Sequence, residues 1–136
     1  MRIAKYYDMA TKNGGVSFKL DGVQPKQGFM VATQISEVLS TDRKQALQQM
    51  KKFIEVNNSY LGNNTFIGLY KDGDKILIEL SQNITDKTDA IYYGIVRKQV
   101  CIYNVKTKEL IKVPKGQQTG TSTQQLMYAR QIANQF

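Results

Sequence analysis

Between Thr65 and Leu80, two strand-like runs, Phe66–Lys71 and Lys75–Leu80, flank the dipeptide Asp72-Gly73. Asp-Gly is suited to the positive φ angles of a two-residue hairpin turn, so this segment constrains the fold more than any other. With Asp72-Gly73 as the loop, Leu69 is expected opposite Ile76 and Ile67 opposite Ile78, all on one apolar face. Phe66, Tyr70, Lys75 and Glu79 then share the second face, which is either wet or a binding surface.

Further strands are expected at Val16–Leu20 and Gly28–Gln34, separated by Asp21-Gly22 and the turn residues around Pro25. A second hairpin runs through Val100-Cys101-Ile102-Tyr103, a Lys106-Thr107-Lys108 turn and Leu110–Val113; strands this close in sequence pair antiparallel. Thr41-Asp42 caps a helix over Arg43–Val56, where Ala46, Leu47, Met50, Phe53 and Ile54 form the apolar stripe and Asn57-Asn58 ends it. Thr85-Asp86 opens a second helix over Lys87–Gln99, with Ala90, Ile91 and Ile95 inward and Gly94 weakening it. Lys115–Ser122 reads as a linker, and Thr123–Gln135 as a terminal helix that packs on its own domain or on a partner subunit. The expected fold is α+β: an antiparallel sheet of about five to six strands with two helices on one face and a C-terminal helix. The boundaries are 1–114 for one domain, 115–122 for the linker and 123–136 for the helix.

A chain of 136 residues, 41% apolar, suffices for one domain without disulfide or metal. Nineteen Lys and Arg against eleven Asp and Glu give a formal charge of +8. There is no His and no Trp, and Cys101 is the single cysteine. Those absences exclude a Ser–His–Asp triad, a Cys–His dyad, a histidine general base and any His-containing or Cys₄ zinc site. Met1–Asp8 has no apolar h-region and no window is long and apolar enough to span a membrane, so the expectation is a cytoplasmic protein.

Cys101 lies between Val100 and Ile102 in a strand with no base beside it, which describes a structural thiol. Asp72-Gly73-Asp74 superficially matches a calcium loop, but Lys75–Ile78 supplies no oxygen ligands before Glu79, so the segment is a turn. Asp86 and Asp89 complement a helix dipole rather than form a catalytic pair. No glycine pattern matches a phosphate-binding loop. The basic residues are more informative: Arg97, Lys98, Lys106, Lys108, Lys112 and Lys115 stand against the single acid Glu109. Tyr103 lies among them and Tyr92-Tyr93 just before them. Such a surface holds phosphates and stacks a base, or it is an ordinary solvated face. Arg97 is singled out because Arg contacts phosphate bidentately and the chain has only four arginines.

Gly14-Gly15-Val16-Ser17-Phe18 and Gly28-Phe29-Met30-Val31-Ala32 resemble the opening of a group of small phage and prophage proteins. Tyr60-Leu61-Gly62 with Ile67-Gly68-Leu69-Tyr70, and Lys75–Ser81, are similar to two of their strands. Asp89-Ala90-Ile91, Gly94 and Cys101-Ile102-Tyr103-Asn104 resemble a later segment, although Arg97-Lys98-Gln99 replaces its Asn-Asn-Gln. The resemblance covers about residues 14–113. It implies an anti-defence protein of the anti-Thoeris kind, a homo-oligomer that sequesters a cyclic nucleotide signal without cleaving it.

The resulting expectation is a phage-encoded, non-enzymatic binder of a small anionic cyclic nucleotide, requiring no cofactor or metal. Arg97 and Lys98 would hold phosphates, with Arg43 or Arg130 donated across a subunit contact. Tyr92, Tyr93 or Tyr103 would stack on a base. The alternative is an inhibitor that binds a host defence protein, in the manner of an anti-CRISPR; its basic charge argues against DNA mimicry. An enzyme would have to use Lys, Tyr or Cys101 without His. No sequence-specific nucleic-acid motif is present.

Overall fold

A computed structural model describes residues 2–62, 64–113 and 121–135. The elements run α1 (Ile3–Asn13), β1 (Gly15–Phe18), β2 (Phe29–Val38), α2 (Arg43–Val56), β3 (Thr65–Asp72) and β4 (Lys75–Ile84), followed by α3 (Lys87–Val96), β5 (Cys101–Asn104), β6 (Glu109–Lys112) and α4 (Ser122–Ala133). A 3-10 turn at Asn58–Tyr60 links α2 to β3. The fold is α+β, with four helices and a six-stranded antiparallel sheet in the order β1-β3-β4-β2-β5-β6.

The chain groups into two compact units, Met1–Gln24 with Thr33–Ser81, and Pro25–Ala32 with Gln82–Phe136. Strands β2 and β4 each contribute residues to both units. Helix α4 falls in the second unit, with α3, β5 and β6. The expected linker falls largely on 115–120, outside the described residues. Thr121 and Ser122, its last two positions, are the cap and first residue of α4.

In the first unit, α1 was not among the expected helices. Tyr6, Tyr7 and Ala10 form its buried stripe, joined by the partly buried Ile3. Gly14 ends it at φ 93°, its N–H donating to the Ala10 carbonyl at 2.8 Å. Only a residue without Cβ takes that conformation at little cost. The Tyr6 ring stacks on Phe18 of β1 at 3.9 Å between centroids. Helix α2 spans the expected residues: the Asp42 carboxylate accepts from the N–H groups of Lys44 and Gln45, and the buried Asn57 side chain donates to the Phe53 carbonyl. Phe18, Met50, Ile67, Ile78 and Leu80 are fully buried in this core. Each such side chain contributes roughly 1.5–3 kcal/mol by leaving water.

The β3–β4 loop is Gly73-Asp74, one residue later than expected, with Gly73 at φ 63°. A two-residue loop there sets Asp72 opposite Lys75, which places Leu69 opposite Ile78 and Ile67 opposite Leu80. Gly68 accordingly lies beside Glu79, where an added Cβ would stand 3.4 Å from the Glu79 Cγ. A displacement of two residues in pairing preserves the alternation of faces, so Ile67, Leu69, Ile76 and Ile78 still share the core. Strand β2 also runs four residues past its expected end, because Ile35 continues the alternation and packs against the core.

In the second unit, Ala90, Ile91 and Ile95 of α3 are fully buried against Ile102, Ile111 and Val113, and Ala129 and Ile132 of α4 join them. Gly94 permits this approach: a Cβ there would stand 3.0 Å from Ile102 Cγ2 and 3.2 Å from Val113 Cγ2. Helix α3 stops at Val96 rather than Gln99. Lys98 takes φ 56°, and the N–H groups of Lys98 and Gln99 donate to the carbonyls of Ile95 and Gly94. That is a Schellman closure with lysine where glycine is usual.

Candidate functional site

The second unit carries a cleft of about 340 Å³ lined by Asp89, Tyr92 and Tyr93 of α3 and by Ser122, Thr123 and Leu126 of α4. Both helix starts are fixed locally. Asp86 caps α3 by accepting from the Asp89 N–H at 2.9 Å. Helix α4 opens with a capping box, in which the Thr121 hydroxyl accepts from the Gln124 N–H and the Gln124 side chain accepts from the Thr121 N–H. Ser122 and Thr123 are thereby held in the first turn of α4, facing the α3 tyrosines across the cleft.

Asp89, Tyr93 and Arg97 recur at intervals of four residues and so form one stripe along α3 and its C-cap. Arg97 is half-buried, and its guanidinium lies 5.0 Å from the centroid of the Tyr93 ring, within cation–π range. One of its terminal nitrogens also donates to the Gln82 side-chain carbonyl. Burial pushes the Arg97 pKa down, partly offset by Tyr93, but a guanidinium remains charged throughout the physiological range. The Tyr92 and Tyr93 rings meet edge to face at 5.3 Å. On α4, Arg130 follows Leu126 by one turn on the stripe that carries Thr123, and it is exposed.

The sequence-predicted residues thus separate. Arg97 and Tyr93 come together; Arg130 stands one turn beyond Leu126 on α4, and neither arginine is among the residues that line the cleft. Lys98 is exposed at the turn after α3. Tyr103 is not part of this group: on β5 it alternates with Ile102, whose side chain meets α3, so Tyr103 faces the opposite side of the sheet, paired with Met30 and Leu110. Arg43 belongs to the first unit, where both branches of its guanidinium grip the Asp8 carboxylate at 3.1 and 3.0 Å. Those hydrogen bonds hold Asp8 below the usual carboxylate range and raise Arg43. Lys106, Lys108 and Lys112 are exposed on the β5–β6 hairpin, and Lys115 lies outside the described residues.

From sequence Asp89 was read only as complementing the α3 dipole, and the hydroxyls of Ser122 and Thr123 were not singled out. The four-residue spacing Asp89–Tyr93–Arg97 was the available signal for the first. No local pattern could bring in the α4 residues, since their approach to α3 is a tertiary contact. Cys101 is half-buried on β5, and no cluster of His, Cys, Asp or Glu with metal-binding geometry occurs among the described residues. None of the described helices is long and apolar enough to cross a membrane. In comparisons with known proteins, no family model, no curated protein and no solved structure matches this chain.

Proposed function

We propose that the protein is a non-enzymatic binder of a small anionic nucleotide, captured at the α3–α4 cleft. The observation that carries this reading is the Arg97 guanidinium held half-buried over Tyr93, on the same stripe as the cleft residues. A fixed arginine loses little side-chain freedom on binding phosphate, so more of each charge-assisted hydrogen bond becomes affinity. Tyr92 and Tyr93 offer ring surface to a base, and Arg130 adds a second phosphate contact. The Asp89 carboxylate accepts from an exocyclic amine or a ribose hydroxyl, and it selects against ligands that are phosphate alone. With no histidine in the chain, this constellation favours capture over turnover, consistent with the sponge-like role in phage anti-defence that the resemblance implies.

The test is isothermal titration against cyclic ADP-ribose isomers and cyclic di- and trinucleotides, with bound ligand recovered after heat denaturation. Saturable binding and intact recovered ligand support the reading; a flat titration across the panel overturns it. Light scattering on the same sample reads the homo-oligomer that the resemblance implies. A second reading, docking on a host protein, would use the face of the β5–β6 hairpin away from α3, where Leu110, 55% exposed, is paired with Tyr103. Affinity capture with Leu110→Ser as the negative control tests it.

A further inference from the structure

The first unit holds its own cleft, of about 490 Å³, between α1, the entry to α2 and the β3–β4 turn. Its volume falls within the range of small-molecule sites, in a groove that is partly open to solvent rather than an enclosed cavity. Ile76 and Tyr7 form its buried wall, both more than nine-tenths buried. Tyr7 is a core residue by its ring, yet among the described residues its hydroxyl has no hydrogen-bond partner. The ring is buried while the hydroxyl itself opens onto the cleft and is not sealed from solvent, so it can donate to or accept from a molecule that enters. Lys71 and Asp74 bring opposite charges to the same cleft without pairing. The Lys71 ammonium instead donates to the Thr11 carbonyl, at the long distance of 3.4 Å. Thr41 adds a hydroxyl, and the remaining cleft polarity is uncharged.

These charges limit what fits. A lone anion drawn to Lys71 meets Asp74, and a lone cation drawn to Asp74 meets Lys71. A ligand carrying both charges satisfies each partner. We propose that this cleft binds a small zwitterion of the free α-amino acid type. Its carboxylate is taken by Lys71 and the Tyr7 hydroxyl, its ammonium by Asp74, and its apolar substituent lies along Ile76. The proposal concerns a different site from the α3–α4 cleft, and neither reading depends on the other.

Isotope-labelled full-length protein is titrated with a panel of free amino acids while the amide signals of Thr41, Lys71 and Gly73 are followed by NMR. Acetate, methylammonium and inorganic phosphate are run as single-charge probes. The expected result is saturable shifts with at least one amino acid, and at least about tenfold weaker binding of each single-charge probe. Lys71→Met and Asp74→Asn each lower the affinity about tenfold, and Tyr7→Phe, which removes only the hydroxyl, lowers it about fivefold. Absence of saturable shifts at millimolar amino acid overturns the proposal. So does a single-charge probe that binds as well as the amino acids, or variants that fold and bind unchanged.

Discussion

The guanidinium of Arg97 lies over the face of Tyr93, one turn earlier on α3, with 5.0 Å between the guanidinium carbon and the ring centroid. The contact fixes the direction of a long side chain that would otherwise sample many rotamers. Gln82, at the end of β4, anchors it as well.

Replacing Arg97 by Ala is therefore expected to lower nucleotide affinity about a hundredfold, with a stability loss of only about 1–2 kcal/mol. Arg97→Lys keeps the charge but loses the planar fork, and falls between the two. Calorimetric titration alongside thermal melts checks both effects. Unchanged affinity in Arg97→Ala would remove the residue from the site.

Lys98 closes α3 at φ 56°, a conformation that costs a residue with a Cβ about 1 kcal/mol relative to glycine. Lys98→Gly is expected to stabilise the fold by up to about 1 kcal/mol in urea titration, less the greater freedom glycine gives the unfolded chain. If Lys98 also holds phosphate, the same variant binds more weakly while melting higher. A lower melting temperature would contradict the closure described here.

Gly94 presents the opposite case. Alanine normally favours a helix interior by about 1 kcal/mol. Here the new Cβ would meet Ile102 at 3.0 Å and Val113 at 3.2 Å, both stiff, β-branched core residues. The net expectation for Gly94→Ala is destabilisation of about 1–2 kcal/mol, with stabilisation as the contrary outcome, read from chemical denaturation.

Glu79 sits on the sheet face away from the first core, beside Gly68, and burial pushes its pKa up to about 7. The folded protein thus retains a proton that the unfolded chain releases near the ordinary glutamate value of 4.5. Stability from this group is therefore greatest at acid pH and falls as pH rises from there through neutrality. The accumulated cost reaches about 3 kcal/mol in mild alkali. Glu79→Gln should flatten that slope and stabilise the protein above pH 7, as measured by urea unfolding across the interval. A slope that persists in the variant would assign it to another group.

Some of this was legible residue by residue. Asp42 capping α2, the Ala90–Ile91–Ile95 stripe and the shared face of Ile67, Leu69, Ile76 and Ile78 follow from spacing alone. The overlooked α1 carried the same kind of signal, in Ile3, Tyr6, Tyr7 and Ala10 followed by Gly14. For the candidate site, the stripe Asp89–Tyr93–Arg97 was readable, and Arg97 with Tyr93 was anticipated. Grouping Tyr103 with them was not supported, because strand alternation sends it to the other side of the sheet from Ile102.

Sequence alone determined the local elements, because caps, turns and apolar periodicity act over one or two turns of chain, where backbone geometry leaves few choices. Tertiary structure decided the partners. Strand β1 pairs with β3 rather than β2, matching Val16 to Leu69. Arg43 is held by Asp8, 35 residues away, instead of standing ready for a phosphate. The residues of α4 reach the α3 tyrosines across a stretch with no local pattern to announce it. Each of these follows from burying apolar faces shared among distant segments, and that free energy belongs to the packed whole rather than to any window of the sequence.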